Sequence, residues 1–244
     1  MGRVKQNKKS TFIDMTAMSD VTVLLLTFFM LTSTFLAKAP YQAQTPPSVS
    51  TEEMPMNNVV EILVNPQGKV WMTMNNDTAV SASNESMRKE LLQNMQAEYK
   101  EQTGKEVKFT AEQMEAFAKQ GAFGVPFEQL PTFLSADSEQ QDAWLSGKEE
   151  ARGMKSGIPI KAQTEAEKER IRSSKKGYTE YQMWINAISK TSNDGLKQAI
   201  SKGTGFSLKA DQNTSFEVVH MVMDNMQTVG KNKFTLVTAL KTDE

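Results

Sequence analysis

A chain of 244 residues with 28 basic against 29 acidic side chains, and a formal net charge of −1, has no overall electrostatic attraction for nucleic acid. It contains no cysteine and one histidine, which excludes a disulfide framework, a thiolate metal site and a cysteine nucleophile, and leaves almost no material for a histidine-based metal site or catalytic triad. The length fits roughly one to two domains.

Charge is unevenly placed at the start. Arg3, Lys5, Lys8 and Lys9 precede an apolar run with no acid among them until Asp14. The run from 15 to 38 contains Val21, Leu24, Leu25, Leu26, Phe28, Phe29, Met30, Leu31, Phe35 and Leu36, and matches the ~20 residues that one helix needs to cross a bilayer. A cleaved signal peptide shares the basic start and the small residues near Leu36 and Ala39. The apolar part is longer than a signal core, however, an acid sits at its leading edge, and Pro40 would follow the cut. The reading is a retained single-pass anchor with residues 1–14 as a basic cytoplasmic tail and the rest outside, which in a bacterium with two membranes is the periplasm. Gly2 is followed by Gln6 where myristoylation needs Ser or Thr.

Asp20 lies one turn inside that run. A carboxylate there is costly to insert, and intramembrane acids are functional candidates by default. Thr16 lies one turn before it, and Thr27 and Thr34 follow at intervals of seven, so these four positions form one polar stripe on a Leu-, Phe- and Val-rich helix. Such a stripe is expected to face protein or water. Desolvation raises a carboxyl pKa, which suits Asp20 to gain and lose a proton. One helix cannot enclose a proton path, so partner helices are required.

Residues 39–55 hold Pro40, Pro46, Pro47 and Pro55 among polar side chains, the composition of an extended linker. The remainder, 56–244, reads as an α+β domain. Residues 59–64 are rich in β-branched side chains, 65–68 (NPQG) form a turn and 69–74 alternate, giving a hairpin. Residues 84–99 form an amphipathic helix with Met87, Leu91, Leu92, Met95 and Tyr99 on one face. Near the end, a strand at 206–209, a helix presenting Phe216, Val219, Met223, Met226 and Val229, and a strand at 234–240 complete a small sheet with helices on one face. Residues 105–202 read as a largely helical insertion of unknown role. It carries capping-box spacings at Thr110 and Gln113 and at Thr164 and Glu167, and apolar stretches at 124–134 and 181–188 suited to packing on the domain or on a partner.

His220 reads as a helix-surface residue. The basic run 168–176 reads as a solvated helix face, with an anionic polymer such as cell wall as the sharper alternative. GKEE at 147–150 lacks the Ser or Thr of a phosphate loop. The methionines read as packing material. No enzyme signature and no cofactor site emerges.

The segment IDMTAMSDV, residues 13–21, resembles the opening of the membrane helix in the ExbD/TolR family of envelope motor subunits, aligning Asp14, Thr16 and Asp20, with Ala17 in place of the usual proline and Ser19 in place of an apolar residue. Residues 59–72 look like that family's first hairpin, and 206–240, with Lys209 to Asp211 as its KAD turn, look like its closing strand–helix–strand unit. The resemblance implies a proton-motive-force-coupled subunit in the inner membrane, paired as a homodimer inside a ring of an ExbB-like multi-helix channel protein. It would serve a TonB-like energy transducer that drives outer-membrane transport, with Asp20 as the proton carrier. A TolR-like role in envelope integrity, or a passive anchored scaffold that binds cell wall or protein, is the alternative.

Overall fold

The computed structural model describes residues 15–32, 40–49, 57–75, 81–148, 153–162, 164–173 and 177–240. The chain divides into two units, Met1–Leu36 and Ala37–Glu244.

In the first unit, helix α1 covers Met15–Thr32. At 1.5 Å per residue it is about 27 Å long, short of the ~30 Å hydrocarbon core of a bilayer. Among the described residues no helix is long and apolar enough to cross a membrane. The span expected over 15–38 therefore differs from the described helix by residues 33–38, which lie outside the described residues, as does the basic tail.

The second unit is built on a mixed sheet. Strands β2 (Val59–Val64) and β3 (Val70–Asn75) form the expected hairpin, following the short strand β1 (Pro47–Ser48). The turn closes through Asn65, whose side-chain oxygen accepts from the Lys69 amide at 2.8 Å, and through Gly68, which adopts φ 74°. Helix α2 (Ser81–Thr103) follows, then α3 (Ala111–Lys119), capped by the reciprocal Thr110 and Gln113 bonds that the spacing implies. Strand β4 (Ala122–Phe123), a 3₁₀ turn at Phe127–Gln129, α4 (Leu130–Leu134) and α5 (Ser138–Leu145) come next. They lead to α6 (Glu165–Ser173), α7 (Glu180–Ser189) and α8 (Asp194–Lys202). Strand β5 (Phe206–Ala210), α9 (Phe216–Thr228), β6 (Thr235–Leu236) and β7 (Ala239–Leu240) finish the chain.

The sheet order is β4-β3-β2-β5-β6, with β2 antiparallel to β3 and parallel to β5. That register sets Val60, Ile62 and Val64 beside Met74, Met72 and Val70 on one side and beside Phe206, Leu208 and Ala210 on the other. One sheet face is thus apolar and buried. Phe123, paired with Met72, shares it and packs on Trp184 of α7 with ring centroids 4.8 Å apart. The opposite face carries Glu61 and Lys209, which pair at 3.4 Å, together with Thr73 and Ser207.

Residues 105–202 are helical, but they are not an appendage. They contribute β4 to the sheet, and α7 is buried on nearly every side through Tyr181, Met183, Trp184, Ile185, Ala187 and Ile188. The aromatic rings of Phe117, Phe123 and Phe127 all pack on Trp184. Gly124 lets Trp71 lie close against the backbone, since a Cβ there would sit 2.2 Å from the Trp71 side chain. Glu98 on α2, 2% exposed, accepts from Lys190 at 2.6 Å and from Asn186 at 2.9 Å, fastening α2 to α7.

Two details differ from the sequence reading. The buried positions of α9 include Val222, Asn225 and Met226, whereas Phe216 is 74% exposed. Asn225 accounts for the shift, because it is drawn inward to donate to the Ile160 carbonyl at 3.2 Å. The linker, expected to be a free tether, is docked over 40–49. Tyr41 stacks on Trp71, and β1 pairs in parallel with β7.

Candidate functional site

Helix α1 is apolar around most of its circumference, and its large side chains are exposed, from Leu25 at 50% to Leu31 at 87%. At 100° per residue, Thr27 lies about 20° and Thr16 about 40° from Asp20 around the helix axis. On a regular helix these three positions share one narrow stripe, while Thr34 lies outside the described residues. The Thr27 hydroxyl donates to the Leu24 carbonyl at 2.9 Å. Ser19 donates to Met15 and Thr32 to Phe28, each at 2.8 Å. Thr22 donates to the Ser19 carbonyl at 2.8 Å, although it lies on the side away from Asp20. Hydroxyls bonded to their own helix are satisfied in any surroundings, so they do not define a functional face. The carboxylate of Asp20 differs from them, because no backbone group of a helix interior is free to satisfy it.

A second polar centre sits where the linker meets the domain. Asp211, just beyond β5, is 4% exposed and accepts from the Tyr41 hydroxyl at 2.8 Å, the Gln44 amide at 3.0 Å, and the Asn213 amide at 2.9 Å. These donors, the Asn213 amide foremost, hold its carboxyl below the ordinary aspartate value, and the hydrogen bond to Asp211 in turn raises the Tyr41 phenol. The Gln212 amide donates to the Gln44 carbonyl at 2.7 Å, and Ala239 to Pro46 at 3.0 Å, extending the clasp along the linker. No local spacing announces this site, because Tyr41 and Asp211 are 170 residues apart.

A third group lies between α2, the 3₁₀ turn and α7. Tyr99 donates to Glu128 at 3.0 Å, and Lys105 donates to the same oxygen at 2.7 Å, which lowers the Glu128 carboxyl. Glu180 accepts from the Phe127 amide at 2.8 Å. Burial pushes its carboxyl up to about 8, with that hydrogen bond pulling the other way. Among the described residues no group of three His, Cys, Asp or Glu side chains is placed to hold a metal ion. His220 is on the helix surface and pairs with Asp224 at 2.9 Å.

The family model described as biopolymer transport protein ExbD/TolR matches residues 6–121. The match covers the tail, α1, the first hairpin, α2 and α3, and ends before the C-terminal strand–helix–strand unit. No curated protein and no solved structure gives a significant match.

Proposed function

Since residues 6–121 place this chain in the ExbD/TolR family of biopolymer transport proteins, we propose that it is the proton-carrying subunit of an envelope motor, with Asp20 as the group that binds and releases the proton. The observation that carries this reading is a single carboxylate on an exposed apolar helix, within the part of the chain that matches the family. An apolar helix exposed on all sides requires lipid or other helices around it. Written as one helix, the run over 15–38 would reach about 36 Å, enough to cross a bilayer, with the basic tail inside and the domain in the periplasm of a two-membrane cell.

In the proposed mechanism an ExbB-like multi-helix channel protein surrounds a pair of these helices and supplies the rest of the wall around Asp20. Ionised, Asp20 favours a position next to water or a counter-charge. Protonated, it loses the desolvation penalty and lets the helix move against the wall. Thr16 and Thr27 face the same protein surface. The domain passes the movement to a TonB-like transducer, or to a TolR-type envelope partner. No resident cofactor enters this scheme.

Asp20→Asn keeps the size and removes the titration. Normal expression and partner co-purification, with loss of energised uptake, is the expected result. Uptake at the wild-type rate would reduce Asp20 to an interfacial acid and the chain to a passive scaffold.

A further inference from the structure

Helix α7 begins at Glu180, and its first turn holds two separate stretches of chain. The Glu180 carboxyl accepts from the Phe127 amide at 2.8 Å, and the next residue, Tyr181, donates its own amide to the Pro159 carbonyl at 3.2 Å. Pro126, directly before Phe127, and Pro159 both line a cavity of about 520 Å³ that opens between the hairpin turn, the segment 155–161 and α9. One helix end thus fixes two walls of that cavity. Pro126 is also tied into the 3₁₀ turn, since the Gln129 amide donates to its carbonyl at 2.9 Å, so wall and turn move together.

Of the two bonds at this helix end, the one from Phe127 has a partner that can change its charge. Among the described residues, the titratable groups that face Glu180 are Glu128 of the 3₁₀ turn, Glu167 of α6 and Tyr99 of α2. Lys105 is the cation of this group, and it is committed to Glu128 at 2.7 Å. Burial foremost, with the two neighbouring carboxylates adding to it, disfavours the ionised form of Glu180. The Phe127 amide favours that form, but one neutral donor does not offset the rest, and the carboxyl stands at about 8. Opening the joint to water returns it toward the ordinary 4.5.

We propose that Glu180 is a proton-operated latch, which when protonated holds the 3₁₀ turn against α7 and keeps the Pro126 and Pro159 walls of the cavity in place, and when ionised releases them. The ionised carboxylate is drawn to water and away from Glu128 and Glu167, the turn leaves the helix end, and the cavity loosens. The latch is independent of Asp20 and stands or falls apart from the proton-carrier reading. It lies beyond the part of the chain that matches the family, and it makes the helical block 105–202 the part of the domain that answers to the pH of its own compartment.

The test follows amide hydrogen exchange by mass spectrometry in full-length protein in mild detergent, from about pH 5 to 9, with rates corrected for the intrinsic pH dependence of exchange. Opening that frees the carboxyl releases a proton between about 4.5 and 8, so protection of the Phe127 and Tyr181 amides is expected to fall by up to about tenfold per pH unit across that range and to level off above it. Sheet amides at Ile62 and Leu208 are expected to keep their protection. Glu180→Gln keeps the acceptor and cannot ionise, and is expected to give a flat profile with both amides protected throughout. Glu128→Gln removes a neighbouring carboxylate, and is expected to move the plateau to lower pH. A wild-type profile without pH dependence at these two amides, a slope that persists in Glu180→Gln, a plateau unmoved in Glu128→Gln, or a loss shared equally by the sheet would overturn the latch.

Discussion

Phe28 and Phe29 on α1 are 59% and 65% exposed, whereas Phe117, Phe127 and Phe133 in the domain are buried to 1% or less. The same side chain is used for two purposes. In the domain, apolar residues bury one another and the buried carboxylate of Glu98 is paired with Lys190 and Asn186. On α1 they line the outside, and among the described residues the one charged group has no such fixed partner. The domain is self-sufficient in burial, while the apolar side chains of α1 are left exposed. Function is accordingly expected where burial is left incomplete, and stability where it is finished.

That contrast can be broken at either end. The largest effect is expected from Asp20→Asn, which should abolish energised transport while leaving the thermal unfolding of the domain unchanged; a lowered Tm would make Asp20 structural. Trp184→Ala should do the reverse. Removing the ring that Phe117, Phe123 and Phe127 pack against is expected to cost about 3–5 kcal/mol in denaturant unfolding, and a cost near zero would mean that residues 105–202 are peripheral after all.

Two smaller tests sharpen the domain side. Because the folded Glu180 carboxyl titrates near 8, above the ordinary 4.5, its contribution is fully present below pH 4.5 and is lost as the pH rises through about 8. Its side chain keeps partial exposure, which tempers the size to on the order of 2 kcal/mol. Glu180→Gln should flatten stability over that window, as followed by urea unfolding at stepped pH; an unchanged slope would place the titrating group elsewhere. The smallest effect is expected from Tyr41→Phe. Loss of the hydroxyl donated to Asp211 should speed amide exchange at Gln44 and Gln212 several-fold without changing global stability, and unaltered exchange would show that Trp71 stacking alone holds the linker.

Local signals in the sequence account for part of this molecule. The β-branched content of 59–64 and the alternation of 69–74 around NPQG give the hairpin, and Met87, Leu91, Leu92, Met95 and Tyr99 give the buried face of α2, because both rest on near-neighbour patterns. The place of residues 105–202 is not legible. β4 is two residues long, and α7 is apolar on so many sides that it reads equally as core or as partner surface. On α9 the expected Val219, Met223, Met226 and Val229 do pack on the core, Phe216 does not, and the inward place of a polar residue, Asn225, is one that periodicity assigns to an apolar side chain. The Asp211 clasp was invisible for a different reason, since its partners meet only in the folded chain. At the candidate site, spacing alone places Thr16 and Thr27 beside Asp20, but it cannot show that the hydroxyl of Thr27 is spent on its own helix.

The central claim is that Asp20 carries the proton. Its most direct measurement is proton flux in liposomes that contain this protein and its channel partner, under an imposed potential, for the wild type and for Asp20→Asn side by side. The account predicts potential-driven flux from the wild-type complex and background leakage from an equally assembled variant. Equal flux from the two would contradict it.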